Sequence, residues 1–312
     1  FSGASNTGVT NFGTISSANG DVVLMGGFVD NQGQIGAMNG TVAIGAGGDI
    51  LLEEGAGSKI SVRGESDYQG TGINNTGTIR GASAELKAHG NVYALAINNG
   101  GAIRANGADR SSGRVLLRAS GGSSNINLGA ASQIVATAGA DGGQVQVDAG
   151  NGEANVAGRI EATGSRNGGA VAVTGAQVVQ ASTSVIDVSG DRVGGTVAMD
   201  AVGAIAVDGT VRADSSAGVG GSIAVTGENV LINDSANFSA DGFSAGGQIR
   251  VGGDFQGRDT GLREARSTRV EEGAVLTADS LGGHGGTAIV WANGDTLFLG
   301  EVSASSLDGG GN

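Results

Sequence analysis

The chain has no cysteine and no proline, and only ten of its 312 residues are aromatic. Without cysteine there is no disulfide framework, no zinc–thiolate or iron–sulfur site and no cysteine nucleophile. Lysine is reduced to Lys59 and Lys87, and the formal net charge is −13. That balance argues against nucleic acid and against anionic membrane surfaces, because both are polyanionic. No 18-residue apolar run is present, so no spanning helix and no membrane insertion are expected. The chain opens on Phe1 rather than Met, with no basic stretch followed by an apolar one. A signal peptide, if there was one, is then already gone, and the expectation is a processed or excised piece.

What the chain has in abundance is glycine, 63 residues of it, beside a hydrophobic content of 39%. A broad aromatic-filled interior is excluded, yet the hydrophobic content is too high for typical disorder. A thin, regular core of Val, Ile, Leu and Ala remains.

Repeats decide the fold. The second glycine of a Gly-Gly pair falls at Gly143, Gly169, Gly195, Gly221 and Gly247, each 26 residues after the last. Two positions on come alternating apolar pairs: Val145 and Val147, Val171 and Val173, Val197 and Met199, Ile223 and Val225, Ile249 and Val251. Such alternation marks strands with one buried face. A second signal, small-x-Ile-x-Ala, recurs at Ile15, Ile35, Ile60, Ile79, Ile103, Ile134, Ile160, Ile186, Val211, Phe238, Leu276 and Val302. Twelve anchors predict an all-β fold, a parallel β-helix of about twelve coils of 20–26 residues and roughly 58 Å in height. The missing proline fits strands that all donate to neighbouring coils, and glycine is expected to supply corners with φ > 0.

Asn11, Asn31, Asn75 and Asn99 each precede an anchor isoleucine by four residues, so stacked coils would align them as an amide ladder. Ala56 takes the place in the third coil, and Val156 and Val207 take it later. The expectation is one continuous helix over residues 1–312 in two dialects. Coils over 1–110 are Asn-marked, and those over 111–312 are Gly-Gly-marked, with a loop insertion at 254–268.

These residues resemble the filamentous haemagglutinin family, the large TpsA-type exoproteins of bacterial two-partner secretion. The likeness lies in FSGASNTGVTNFGTI from Phe1 to Ile15, the NxGxI repeats, the segment from Gly252 to Asp279, and GGTAIVWANGDTLFLGEVSAS from Gly285 to Ser305. Family members carry an Asn-Pro-Asn-Gly type segment in an N-terminal secretion domain, and this proline-free chain does not. By resemblance, Phe1 lies after most of that domain. The resemblance implies a right-handed helix, export across the outer membrane through a partner transporter, and work at the cell surface or outside it. An adhesin or fibre segment of an extracellular matrix would attach to host cells, neighbouring cells or glycans. Residues Ser305–Asn312 repeat the turn that opens a new coil. The helix is therefore expected to be cut rather than capped, continuing or stacking end to end with another copy.

Candidate sites are few. Gly242-Phe243-Ser244-Ala245-Gly246 spells the G-x-S-x-G nucleophile elbow, but a strand follows where the elbow needs a helix. Gly283, Gly285 and Ala288 spell a loose GxGxxA that also lacks a helix. His89 and His284 fall some seven coils apart and read as surface residues. Asp214, Asp241 and Asp279 follow their anchors by three positions in consecutive repeats. They either fan into water as turn residues or form a carboxylate column that could hold Ca²⁺, the one cofactor considered. Arg258, Asp259, Arg263, Glu264 and Arg266 make the insertion the most charge-dense segment, a candidate for binding or for ordinary solvation. The leading expectation is a non-enzymatic rod. The alternative is a polysaccharide lyase or hydrolase, which would need carboxylates converging beside aromatic platforms.

Overall fold

The computed structural model describes residues 1–3, 5–53, 58–108 and 113–306, and the chain winds into a parallel β-helix of eleven coils. A full coil contributes one strand to each of three faces. The first face is an eleven-stranded sheet running from Val9–Asn11, Val29–Asn31 and Ile73–Asn75 to Asp295–Phe298. The second carries the anchors in unbroken register, Ile15 on Ile35, Ile35 on Ile79, and onward to Leu276 on Val302. The third starts at Val22–Gly26 and ends at Thr287–Val290. In coils two and three, Gln34–Ala46 and Thr78–Gly90 run 13 residues each through the corner that joins the second and third faces.

Alternation sets what is inside. In Ala170–Gly175 the residues Val171 and Val173 are buried while Ala170, Ala172 and Thr174 face outward, and the same holds coil after coil. A single apolar cluster from Val22 to Ala292 fills the rod, with Phe238 the one fully buried aromatic among the described residues.

Two expectations are corrected here. Ile60 is no anchor: Ile35 pairs directly with Ile79, and Ile60–Arg63 pairs antiparallel with Asp49–Leu52 in a hairpin outside the helix. Its small-x-Ile-x pattern mimics a coil because any half-buried strand alternates. The described residues therefore form eleven coils, about 53 Å at ~4.8 Å each. The second concerns the glycine corners: ten glycines among the described residues have positive φ, but none of the pairs that recur every 26 residues from Gly142-Gly143 to Gly246-Gly247 is among them. The pairs serve close approach. A Cβ on Gly169, Gly195, Gly221 or Gly247 would lie 2.1–2.2 Å from the carbonyl oxygen of the equivalent glycine one coil back. A Cβ on Gly168, Gly194 or Gly220 would lie 1.8–2.0 Å from a carbonyl one coil ahead. Each pair is thus pressed between two backbones, and no side chain fits.

Candidate functional site

Three polar constructions stand on this scaffold. The first is the amide ladder. Asn11 Nδ2 donates to Asn31 Oδ1 (2.8 Å), Asn31 to Asn75 (2.7 Å), Asn75 to Asn99 (2.6 Å), and Asn99 to the Ser132 hydroxyl (2.5 Å). Asn31, Asn75 and Asn99 are buried, and their stacking satisfies groups that would otherwise be costly inside. The ladder has no gap. Ala56, expected to interrupt it, lies outside the described residues, and Asn31 meets Asn75 because the hairpin drops out of the stack. Beyond Asn99 the same column is Leu128, Val156, Gln180, Val207, Ile232, Val270 and Phe298.

A second amide ladder, missed in the sequence, stands on the outer side of the same strands. Asn155 donates to Asn127 (2.9 Å), Asn127 to Asn98, Asn98 to Asn74 and Asn74 to Asp30, the last three at 2.8 Å. Its amides donate toward the N-terminal coils, opposite to the inner ladder, so the two rows of dipoles oppose each other. It also carries the Asn dialect past residue 110, to Asn155. The doublets Asn74-Asn75 and Asn98-Asn99 are its visible signal.

The second construction is the acid column at the corner between the second and third faces. Asp214, Asp241 and Asp279 do stack, and they neither fan into water nor stand bare. Asp241 N–H donates to Asp214 (2.9 Å) and Asp279 N–H to Asp241 (2.7 Å), while Ser305 N–H donates to Asp279 (2.6 Å). Hydroxyls add to this: Ser239 donates to Asp214, Thr277 to Asp241 (3.0 Å) and Ser303 to Asp279 (2.6 Å). Burial pushes the Asp214 carboxyl above its ordinary range and the Asp241 charge adds to this, whereas the Ser239 hydroxyl, the Asp241 amide and Arg212 oppose it. The column forms the floor of an open groove of about 610 Å³, with Asp187, Asp191 and Arg212 beside it and Leu281 at its edge. Among the described residues no three His, Cys, Asp or Glu side chains converge as a metal site.

The third construction covers the outer side of the third face at both ends. The hairpin leaves after coil two and folds back, with Ile50 and Ile60 packed on Ala43. Beneath it the buried Glu85 pairs with Lys87. The carboxylate accepts the Ser58 hydroxyl (2.6 Å) and Lys59 N–H (2.8 Å), and the ammonium donates to Ser58 Oγ and Ile60 O, both at 2.6 Å. The other cover is the charged insertion, which leaves the same corner after coil nine. Ser267 and Thr268 already belong to the next strand, so the excursion ends at Arg266, two residues before the expected boundary. Its charges are spent partly on the rod and partly within the insertion itself. Asp259 accepts from Arg250 (2.9 Å), Glu264 from Asp254 N–H (3.1 Å), and Arg263 grips Asp200 at 3.0 and 3.4 Å. Arg258 lies 5.1 Å over the Phe255 ring, which meets Trp291 edge-on at 6.0 Å. The Arg266 side chain alone of the five has no partner among the described residues.

The remaining motifs are turns. Residues 242–246 form a bend between Asn237–Ser239 and Gln248–Val251, with no helix behind Ser244. Residues 283–288 likewise run into Thr287–Val290. His89 is half-buried over Gly121, and His284 is exposed seven coils away. No helix among the described residues is long and apolar enough to cross a membrane.

No protein-family model matches the sequence, and no curated protein matches it. Among solved structures, the chain is similar to the crystal structure of the HMW1 secretion domain from Haemophilus influenzae. The two are 17% identical with a TM-score of 0.56, and the alignment covers 92% of this chain and 84% of that one. At that identity the likeness is one of fold.

Proposed function

We propose that this chain is a β-helical portion of a two-partner secretion exoprotein, carried across the outer membrane by a partner transporter. Outside, it serves as a non-enzymatic rod of an adhesin or fibre. The observation that supports this most is the fold likeness to the HMW1 secretion domain along nearly the whole chain. That alignment runs along a secretion domain itself, which favours a chain overlapping such a domain over one that begins after it. The physical reading agrees. Coils that bond only to their neighbours can form one after another as a chain emerges. The absence of cysteine spares it oxidation on the way. The acid column, the strongest place to look for polysaccharide chemistry, has its carboxylates engaged by amides and hydroxyls of the next coil. Attachment to cells or glycans and end-to-end stacking belong to this proposal as roles of the rod.

The test is made in the cell that produces the protein. Removing the outer-membrane transporter encoded with it should leave the protein in the periplasm, while the intact cell shows it at the surface or in the medium. Equal export with and without the transporter would sink the proposal.

A further inference from the structure

The coils between Gly143 and Gly247 are nearly interchangeable. Each has the same length, the same Gly-Gly corner and an equivalent pair of buried apolar side chains on the third face. A stack that skipped one coil would still set valine on isoleucine and glycine on glycine. Core and corner therefore do little to distinguish the next coil from the one after it, and repeat proteins misassemble in this way.

One outward column does distinguish them. On the third face Arg118, Asp148, Thr174, Asp200 and Thr226 stand in register in five consecutive coils. Arg118 Nε donates to Asp148 (3.0 Å) and the Thr174 hydroxyl donates to Asp148 (3.3 Å), while the Thr226 hydroxyl donates to Asp200 (2.8 Å). Carboxylates alternate with hydroxyls, so skipping the Thr174 coil would set Asp200 against Asp148, like charge on like, and skipping the Thr226 coil would take from Asp200 its hydroxyl donor and from Arg263 the coil it spans. The insertion closes the series. Arg263 reaches past the coil of Thr226 to Asp200, 63 residues back, whereas other side-chain hydrogen bonds among these coils join immediate neighbours. Its path is held by Arg250 on Asp259 and by Asp254 N–H on Glu264, through a turn in which Gln256 takes a left-handed φ of 57°.

We propose that this column, closed by the 252–266 strap, is a register lock. It ties Arg263 to the coil two back and so verifies that one coil, and only one, lies between.

The chain has no cysteine, so introduced pairs can read the register. Thr196→Cys with Ser222→Cys reports the native stack, in which these residues are partners; Thr196→Cys with Gln248→Cys reports a skipped coil. The full chain is unfolded, refolded and oxidised, and the cross-linked peptides are counted by mass spectrometry. With the column intact the skipped-coil link stays at background. Flattening it with Asp200→Thr and Arg263→Ala should raise that link about fivefold, the factor one partly exposed ion pair can contribute. Arg263→Ala alone should raise it about twofold, on the same scale, and provides the reading if the double variant does not refold. Asp200→Glu, which keeps the charge, should leave it near background. A skipped-coil link no higher in either Arg263 variant than in the parent overturns the lock. So does one equally high in Asp200→Glu, since that would reflect general loosening.

Discussion

The N-terminal four coils and the seven that follow solve one problem in different ways. Both must fill the same inner column of the first face. In coils one to four it is a row of asparagines, and from coil five it is Leu128, Val156 and their successors. The amide row gains directionality, since each donor has one acceptor in the next coil, but it is intolerant of a single break. The apolar row gains burial without direction and tolerates change, so the later coils draw their precision from Gly-Gly corners and from charges outside. Gln180, the one amide in the apolar row, shows the cost of mixing: its Oε1 is buried without a hydrogen bond.

This contrast can be broken first at the corners. Gly195→Ala places a Cβ 2.2 Å from Gly169 O and 2.7 Å from Val188 O, both backbone. A loss on the order of 4 kcal/mol is expected in thermal or denaturant unfolding. In the N-terminal part the largest effect is expected beneath the hairpin. Lys87→Met leaves Glu85 buried without its counter-charge, costing about 3 kcal/mol and exposing the amides of Ile60–Arg63 to hydrogen exchange.

A third experiment sharpens the comparison itself. Asn75→Val strands the Asn31 donor and the Asn99 acceptor, and should cost about 2 kcal/mol. Replacing Asn11, Asn31, Asn75 and Asn99 together by valine, as in the later coils, should cost less than four times that, because no amide within the row is left unpaired and the losses fall on the Gly13 N–H and the Ser132 hydroxyl at its ends. An additive loss would show that the two rows are not equivalent solutions.

Smaller effects belong to the acid column. The Asp214 carboxyl is held above its unfolded value, so its ionised form costs stability at pH above both values, and the cost disappears below the unfolded one. Asp214→Asn should therefore raise Tm at pH 7, by about 1–2 °C, and leave it unchanged near pH ~3. Calcium is expected to do least. The column oxygens already accept amide and hydroxyl donors, and millimolar Ca²⁺ should not move Tm, as calorimetry can check.

Much of this architecture is legible in the residue spacings. Eleven of the twelve anchors stand where the small-x-Ile-x-Ala signal puts them, and the alignment of Asn11, Asn31, Asn75 and Asn99 follows from their common distance to those anchors. The stacking of Asp214, Asp241 and Asp279 is readable for the same reason, though not the amide and hydroxyl donors that relieve it. Ile60 misleads because a hairpin strand alternates as a coil strand does. The charges of the insertion are visible, but Arg263 finds Asp200 only once coil eight is laid between them.

The sequence by itself determined the coil, its period, its inward residues and the columns they form. In a solenoid every coil meets its neighbour at equivalent positions, so contacts in space repeat as spacings along the chain. Only the tertiary structure decided that the hairpin leaves the stack, that both excursions fold onto the third face, and that the two amide ladders run in opposite directions. Those contacts join non-equivalent segments, and no period in the sequence encodes which of them will meet.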